Sequence, residues 1–156
     1  LNEQGIKYVS LEELLEQSDI ISLHCPLTPD THRMINKETL KHVKKEAMLV
    51  NTSRGKLIDT EAVIHSLRNK QLGSLAIDVY AEEEKLFFKD LSEMIIEDDT
   101  ISRLMTLPNV LITAHQAFLT REALMQIAKT TLQNVTDFEN GRTNENQVSS
   151  EHVQTV

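Results

Sequence analysis

The sequence predicts an α/β fold built on a parallel, doubly wound sheet, and three observations predict it. First, Leu49-Val50-Asn51-Thr52 runs into a polar turn at Ser53-Arg54-Gly55, and Leu75-Ala76-Ile77-Asp78-Val79 and Val110-Leu111-Ile112-Thr113-Ala114-His115 repeat that grammar. That is the pattern of strands buried on both faces. Second, amphipathic segments lie between these runs at the spacing of crossover units, which join parallel neighbours. Third, each run ends in a chemically capable residue: Arg54, Asp78 and His115. Open α/β sheets bind ligands at the carboxyl ends of their strands, so the three residues are expected at one edge.

Taken in order, Ile6–Val9 reads as a short strand. Ser10 caps a helix with Leu11, Leu14 and Leu15 on one face and Glu13 at the capping-box position. Asp19–His24 is the next strand, stopped by Cys25-Pro26, because proline removes a ladder donor. Asn36–His42 reads as a short helix and Ala47–Asn51 as a strand. Asp59 caps a helix over Thr60–Lys70, with Ala62, Val63 and Leu67 inward and Gly73 as its stop. Leu75–Val79 follows as a strand. The stretch Ala81–Asp99 breaks this rhythm: it carries eight acidic residues and the apolar patch Leu86-Phe87-Phe88. Segments of this length inside a compact domain tend to be functional or disordered. A helix over Asp99–Met105 leads into the strand that ends at His115. Thr120 caps the last helix, to Glu139, with Ala123, Ile127, Leu132 and Val135 on its expected buried side and Gly141 as terminator. The polar tail from Arg142 to Val156 lacks periodicity and is expected to be mobile. This gives one dinucleotide-fold segment over residues 1–141 and a tail over 142–156.

Composition narrows the function classes. A chain of 156 residues can bury a sizeable core. A net charge of −8 disfavours nucleic-acid and anionic-membrane surfaces, both of which need clustered Lys and Arg. No apolar run approaches a membrane span and no leader pattern opens the chain, and the single Cys25 forms no internal disulfide, so the cytoplasm is expected. Only four glycines occur, and no phosphate-binding glycine turn can be drawn from them.

Among the candidate residues, Arg54 offers a planar, permanently charged fork suited to a carboxylate; its bland alternative is a surface ion pair. Histidine is a residue type suited to acid–base work near neutral pH, so His115 is a candidate provided a carboxylate orients it; otherwise it is structural. Glu82, Glu83 and Glu84 could each supply that carboxylate, and spacing does not choose among them. The other histidines show no metal-ligand spacing and read as surface or structural, so no metal is expected.

Four stretches together carry a resemblance: Asp19–Pro29 (DIISLHCPLTP), Val50–Leu57 (VNTSRGKL), Asp78–Glu83 (DVYAEE) and Ala114–Thr120 (AHQAFLT). The chain resembles the C-terminal half of the NAD-dependent D-2-hydroxyacid dehydrogenases, with the lactate branch nearest. The resemblance implies a Rossmann-like domain, NAD as cofactor, and reduction of a small 2-oxo acid such as pyruvate. It makes His115 the proton donor to the substrate carbonyl and Arg54 the holder of the substrate carboxylate. It selects Glu83 as the carboxylate that keeps His115 protonated. It sets Asp78 toward the nicotinamide, and Cys25, Pro26, Thr31, Thr52 and Ser53 along the cofactor groove. Three alternatives remain: a dehydrogenase for a larger 2-hydroxy acid, a non-catalytic, NAD-sensing, corepressor-like scaffold, and a truncated, inactive remnant acting only as an oligomerisation piece. The family's glycine-rich turn and ribose-binding acid have no counterpart here, so the chain alone is expected to turn over little. An open edge beside Asp19–His24 then predicts self-association or low stability, with a homo-oligomer as the expected state.

Overall fold

The computed structural model describes residues 5–86 and 98–148, which divide into two compact units after His115. Phe87, Phe88, Asp90, Glu93 and Glu97 of the acidic stretch, and the end of the tail with His152, lie outside the described residues.

The first unit is a four-stranded parallel sheet: β1 (Ile20–Leu23), β2 (Met48–Asn51), β3 (Ser74–Ile77) and β4 (Val110–Ile112). The strands lie in chain order, β1-β2-β3-β4. Their register sets Leu23 beside Asn51, Asn51 beside Ile77 and Ile77 beside Ile112, so the carboxyl ends finish level. The connections carry α1 (Leu11–Gln17, before β1), a 3-10 turn at Thr39–His42, α2 (Thr60–Arg68), α3 (Glu83–Leu86) and α4 (Asp99–Met105).

Strand order explains a departure from the expected burial. Right-handed crossovers that advance in one direction deposit their helices on a single face of the sheet. Burial accordingly alternates: Ile21, Leu23, Leu49, Leu75 and Ile77 are buried, while Ile20, Met48 and Leu111 are exposed. β2 and β4, expected to be buried on both faces, expose Met48 and Leu111 on the open face, and β1 and β4 are the edges of the described sheet.

The core forms where Leu15, Leu40, Leu57, Val63, Ile64, Leu67, Ile101 and Leu104 meet the covered face. Ser10 caps α1 by accepting the Glu13 N–H at 3.1 Å, but the Glu13 carboxylate turns to Lys7 instead of closing the box. Only Leu15 of the expected α1 face is buried, and Leu14 is exposed. His42 sits between Glu12 (3.3 Å) and Glu16 (3.1 Å), linking α1 to the 3-10 turn. Asp59 caps α2 through the Ala62 N–H. That helix stops at Asn69–Lys70, with Lys70 itself in the left-handed region (φ 58°), ahead of the expected stop at Gly73. Gly73 instead permits a close approach of two backbones, since a Cβ there would lie 2.6 Å from the Glu46 carbonyl.

Ile6–Val9 forms no strand, and Tyr8 is exposed. A strand exists only through a ladder partner, and no described strand lies beside this segment.

The second unit holds α5 (Arg121–Glu139), capped by Thr120 through the Ala123 N–H. Its C-terminus closes as expected at Gly141 (φ 64°): Gly141 N–H donates to Phe138 O and Arg142 N–H to Asp137 O, a Schellman motif. The helix buries none of its residues, including Ala123, Ile127, Leu132 and Val135. A lone helix has nothing in its own unit broad enough to cover its apolar stripe. The start of the tail is ordered rather than loose, because Asn144 and Asn146 both donate to the Asn134 side chain. Among the described residues, no helix is long and apolar enough to cross a membrane.

Candidate functional site at the carboxyl edge of the sheet

β2 ends in Asn51, whose side chain is fully buried. Its Oδ1 accepts the Ser53 N–H at 3.1 Å and its amide donates to Arg54 O at 2.9 Å. This Asx turn folds the chain back on itself and leaves Arg54 exposed at the tip. Arg54 Nη1 donates to Ser53 O at 2.8 Å; among the described residues no carboxylate pairs with the guanidinium. Gly55 behind it lies against the backbone of the next strand's exit. A Cβ at Gly55 would stand 2.2 Å from the Tyr80 carbonyl carbon and 2.4 Å from Ala81 N. Glycine is therefore what allows the Arg54 turn and the Tyr80–Ala81 turn to touch.

β3 runs into Asp78, a buried carboxylate that accepts the Thr113 hydroxyl. Its backbone ties both neighbours: Asp78 N–H donates to Asn51 O (3.0 Å), and His115 N–H donates to Asp78 O (2.7 Å). His115 adopts φ 51°, a left-handed conformation unusual for a side-chain-bearing residue, although histidine enters it more readily than most. His115 Nδ1 lies 3.1 Å from Glu83 Oε1, with the imidazole about one-third exposed and the carboxylate less so. Glu83 Oε2 accepts the Tyr80 N–H at 3.0 Å. Glu83, the middle of the three consecutive glutamates, thus meets His115 with one oxygen and the Tyr80 backbone with the other.

Two further side chains knit the adjoining loops. Ser53 Oγ donates to Cys25 O and Thr31 Oγ1 donates to Pro26 O, both at 2.7 Å. The exits of β1 and β2 are thereby joined into one lip. Thr52 is exposed on it, and the Cys25 sulfur is 3.6 Å from that of Met34. A cleft of about 250 Å³ opens between Leu27, Arg54, Lys56, Tyr80 and the glutamates 82–84.

The edge therefore offers an exposed guanidinium fork, an imidazole braced by a carboxylate, and a polar lip. Together these can grip an anionic substrate and exchange a proton with it. Reading the sequence singled out most of these residues but missed three that build the edge. Asn51 passed as a strand end, although Asn followed by Ser-Arg-Gly is an Asx-turn signal. Thr113 and the Tyr80 side chain gave no local signal. The Tyr80 hydroxyl donates to both oxygens of Asp98, at 3.1 and 3.0 Å. Burial, and then the neighbouring Asp98 carboxylate, push the Tyr80 phenol well above its usual range.

Comparison with known proteins gives this geometry a context. Residues 1–117 match the family model described as D-isomer specific 2-hydroxyacid dehydrogenase, NAD binding domain. A 2-hydroxyacid dehydrogenase homolog of Zymomonas mobilis is 58% identical over 138 residues, 88% of this chain and 42% of that protein. The D-lactate dehydrogenase of Escherichia coli is 50% identical over 146 residues, 94% of this chain and 44% of the relative. A solved structure of the pyruvate reductase of Chlamydomonas reinhardtii superposes with a TM-score of 0.86 at 46% identity, covering 93% of this chain and 45% of that one. The chain spans less than half the length of the relatives it matches.

Proposed function

The chain belongs to the D-isomer specific 2-hydroxyacid dehydrogenase family through its NAD-binding domain, and from that premise we propose that it supplies the catalytic edge of an enzyme interconverting a small 2-oxo acid and its D-2-hydroxy acid, with pyruvate and D-lactate as the pair. The observation that carries this reading is the Glu83–His115 pair, at 3.1 Å, at the same sheet edge as the Arg54 turn.

Each residue then has a role that its surroundings suit. Arg54 takes the substrate carboxylate in its two-pronged fork, a job for which its lack of a described carboxylate partner leaves it available. With Nδ1–H donated to Glu83 Oε1, the protonated His115 ring presents Nε2–H to the substrate carbonyl oxygen. It gives up that proton in reduction and takes it back in the reverse direction. Glu83 stabilises the charged ring and fixes its orientation, much as second carboxylates do in other acid–base pairs.

Cys25, Pro26, Thr31, Thr52 and Ser53 on the lip, with Asp78 at the adjoining exit of β3, would face NAD. The lip fits a nicotinamide end: it runs across successive strand exits, is polar, and is held by the Ser53 and Thr31 hydroxyls. NAD, when bound, supplies or accepts the hydride at the substrate's second carbon. The phosphate and ribose contacts have no residues here to make them, so the chain alone is proposed to bind NAD weakly and turn over little. Association between copies is proposed of the same chain, supported by the position of β1 at the edge of the described sheet and by the exposed Ile20.

The test is NADH oxidation with pyruvate, on this chain and on one extended to the length of its relatives. Activity in the extended protein, lowered about 10²–10⁴-fold by His115→Ala, supports the reading. An extended protein that binds NADH yet reduces neither pyruvate nor larger 2-oxo acids would replace it with the scaffold reading.

A further inference from the structure

The orientation of the Glu83 carboxylate does not originate in Glu83. One of its oxygens meets His115 and the other accepts the backbone N–H of Tyr80. The Glu83 N–H donates in turn to Tyr80 O at 3.3 Å, so residues 80 and 83 close a reciprocal turn. A carboxylate held at one oxygen has far fewer directions open to the other, so whatever steadies the Tyr80 backbone steadies the contact with the imidazole.

Tyr80 is fixed at its far end. Its ring is buried in the core, and its hydroxyl reaches both oxygens of Asp98, eighteen positions along the chain. Asp98 is itself pinned: its Oδ1 accepts the Thr100 and Ile101 N–H groups and caps α4. That helix is anchored by buried Ile101 and Leu104. A continuous series of bonds therefore runs from the core through α4, Asp98 and Tyr80 to Glu83 and His115.

We propose that Tyr80 is the positioning residue for the Glu83–His115 pair: its hydroxyl, clasped by Asp98 at the α4 cap, holds the backbone N–H that aims Glu83 at the imidazole. This rests on the role given to that pair above. In this role Tyr80 acts through Glu83 and turns a soft loop carboxylate into a fixed one. Preorganisation of this kind matters because acid–base geometry tolerates displacements of only a fraction of an ångström.

The experiment reads the His115 ring directly, by ¹⁵N chemical shifts of the neutral imidazole in the full 156-residue chain. Glu83 favours the Nδ1–H tautomer by accepting that proton. Glu83→Ala is expected to abolish the preference. Tyr80→Phe, which removes only the hydroxyl, is expected to move the tautomer ratio in the same direction by about twofold to fivefold. Asp98→Ser keeps a helix cap but is too short to reach the phenol, and is expected to match Tyr80→Phe. Asp98→Asn keeps both the cap and an acceptor oxygen and is expected to restore the original ratio. Circular dichroism confirms that each variant is folded, and Asp98→Ser reads the same clasp if Tyr80→Phe does not fold. An unmoved ratio in a folded clasp-breaking variant, beside a moved ratio in Glu83→Ala, overturns the proposal. An unmoved ratio in Glu83→Ala instead overturns the pair itself, and with it the proposed function.

Discussion

Replacing Gly55 by alanine should disturb two loops at once, and the structure sets the size of the effect. The added Cβ would stand 2.2–2.5 Å from Tyr80 C, Tyr80 O and Ala81 N, whereas ordinary contact begins at 3.4 Å. All three atoms are backbone, so no side-chain rotation relieves the overlap. The Arg54 turn and the Tyr80 turn must part by roughly 1 Å, an overpacking that costs about 1–3 kcal/mol. For a unit of this size that lowers the melting temperature by roughly 5–15 °C. The displacement also falls on the backbone that holds Glu83. Amide resonances should therefore shift across the contact, at Tyr80, Ala81, Glu83 and His115, and not only around residue 55. Thermal melts and ¹H–¹⁵N spectra of Gly55→Ala measure both effects. An unchanged melting temperature with shifts confined to residues 53–57 would refute the idea that this glycine couples the two loops.

Two other perturbations probe the same edge. Asn51→Ala leaves the Arg54 carbonyl and the Ser53 N–H without their buried partner, at about 1–3 kcal/mol each; urea unfolding should show a lower midpoint with an unchanged slope. Tyr80 predicts an alkaline limit. Its phenol holds its proton more tightly folded than unfolded, so its contribution is complete below the unfolded value near pH ~10. That contribution is lost as pH rises further, at about 1.4 kcal/mol per pH unit. Denaturation profiles of the unaltered chain and Tyr80→Phe should therefore diverge in slope above pH ~10 and run parallel below it.

The strands and most helices were legible because their signals are local. The helix expected over Asp99–Met105 has those bounds, and its cap, Asp98, is a neighbour in sequence. Arg54, Asp78 and His115 could be assigned to one edge because each ends an apolar run, and parallel strands in register finish level. What was illegible depends on partners distant in sequence. Ile6–Val9 has strand composition but no described strand beside it. The stripe on α5 reads as a buried face, although burial depends on what lies opposite. Spacing could not choose among Glu82, Glu83 and Glu84, whereas the turn that closes between Tyr80 and Glu83 brings a Glu83 oxygen to His115. The left-handed backbone of His115 carries no sequence signal either, since nothing in AHQAFLT marks it.

A sheet whose spatial order repeats its chain order also constrains how the molecule assembles. Each strand docks on the one made just before it, with register partners 28, 26 and 35 residues apart at Ile20–Met48, Met48–Ser74 and Leu75–Val110. Loop closures of this modest and even size carry similar entropic penalties, so the sheet can grow outward from β1 without a long-range search. β4 pairs across the largest of the three separations. The contact between Glu83 and His115 spans that closure, so it requires β4 to be seated beside β3. The same bond that braces the imidazole therefore reports that the β3–β4 closure is made.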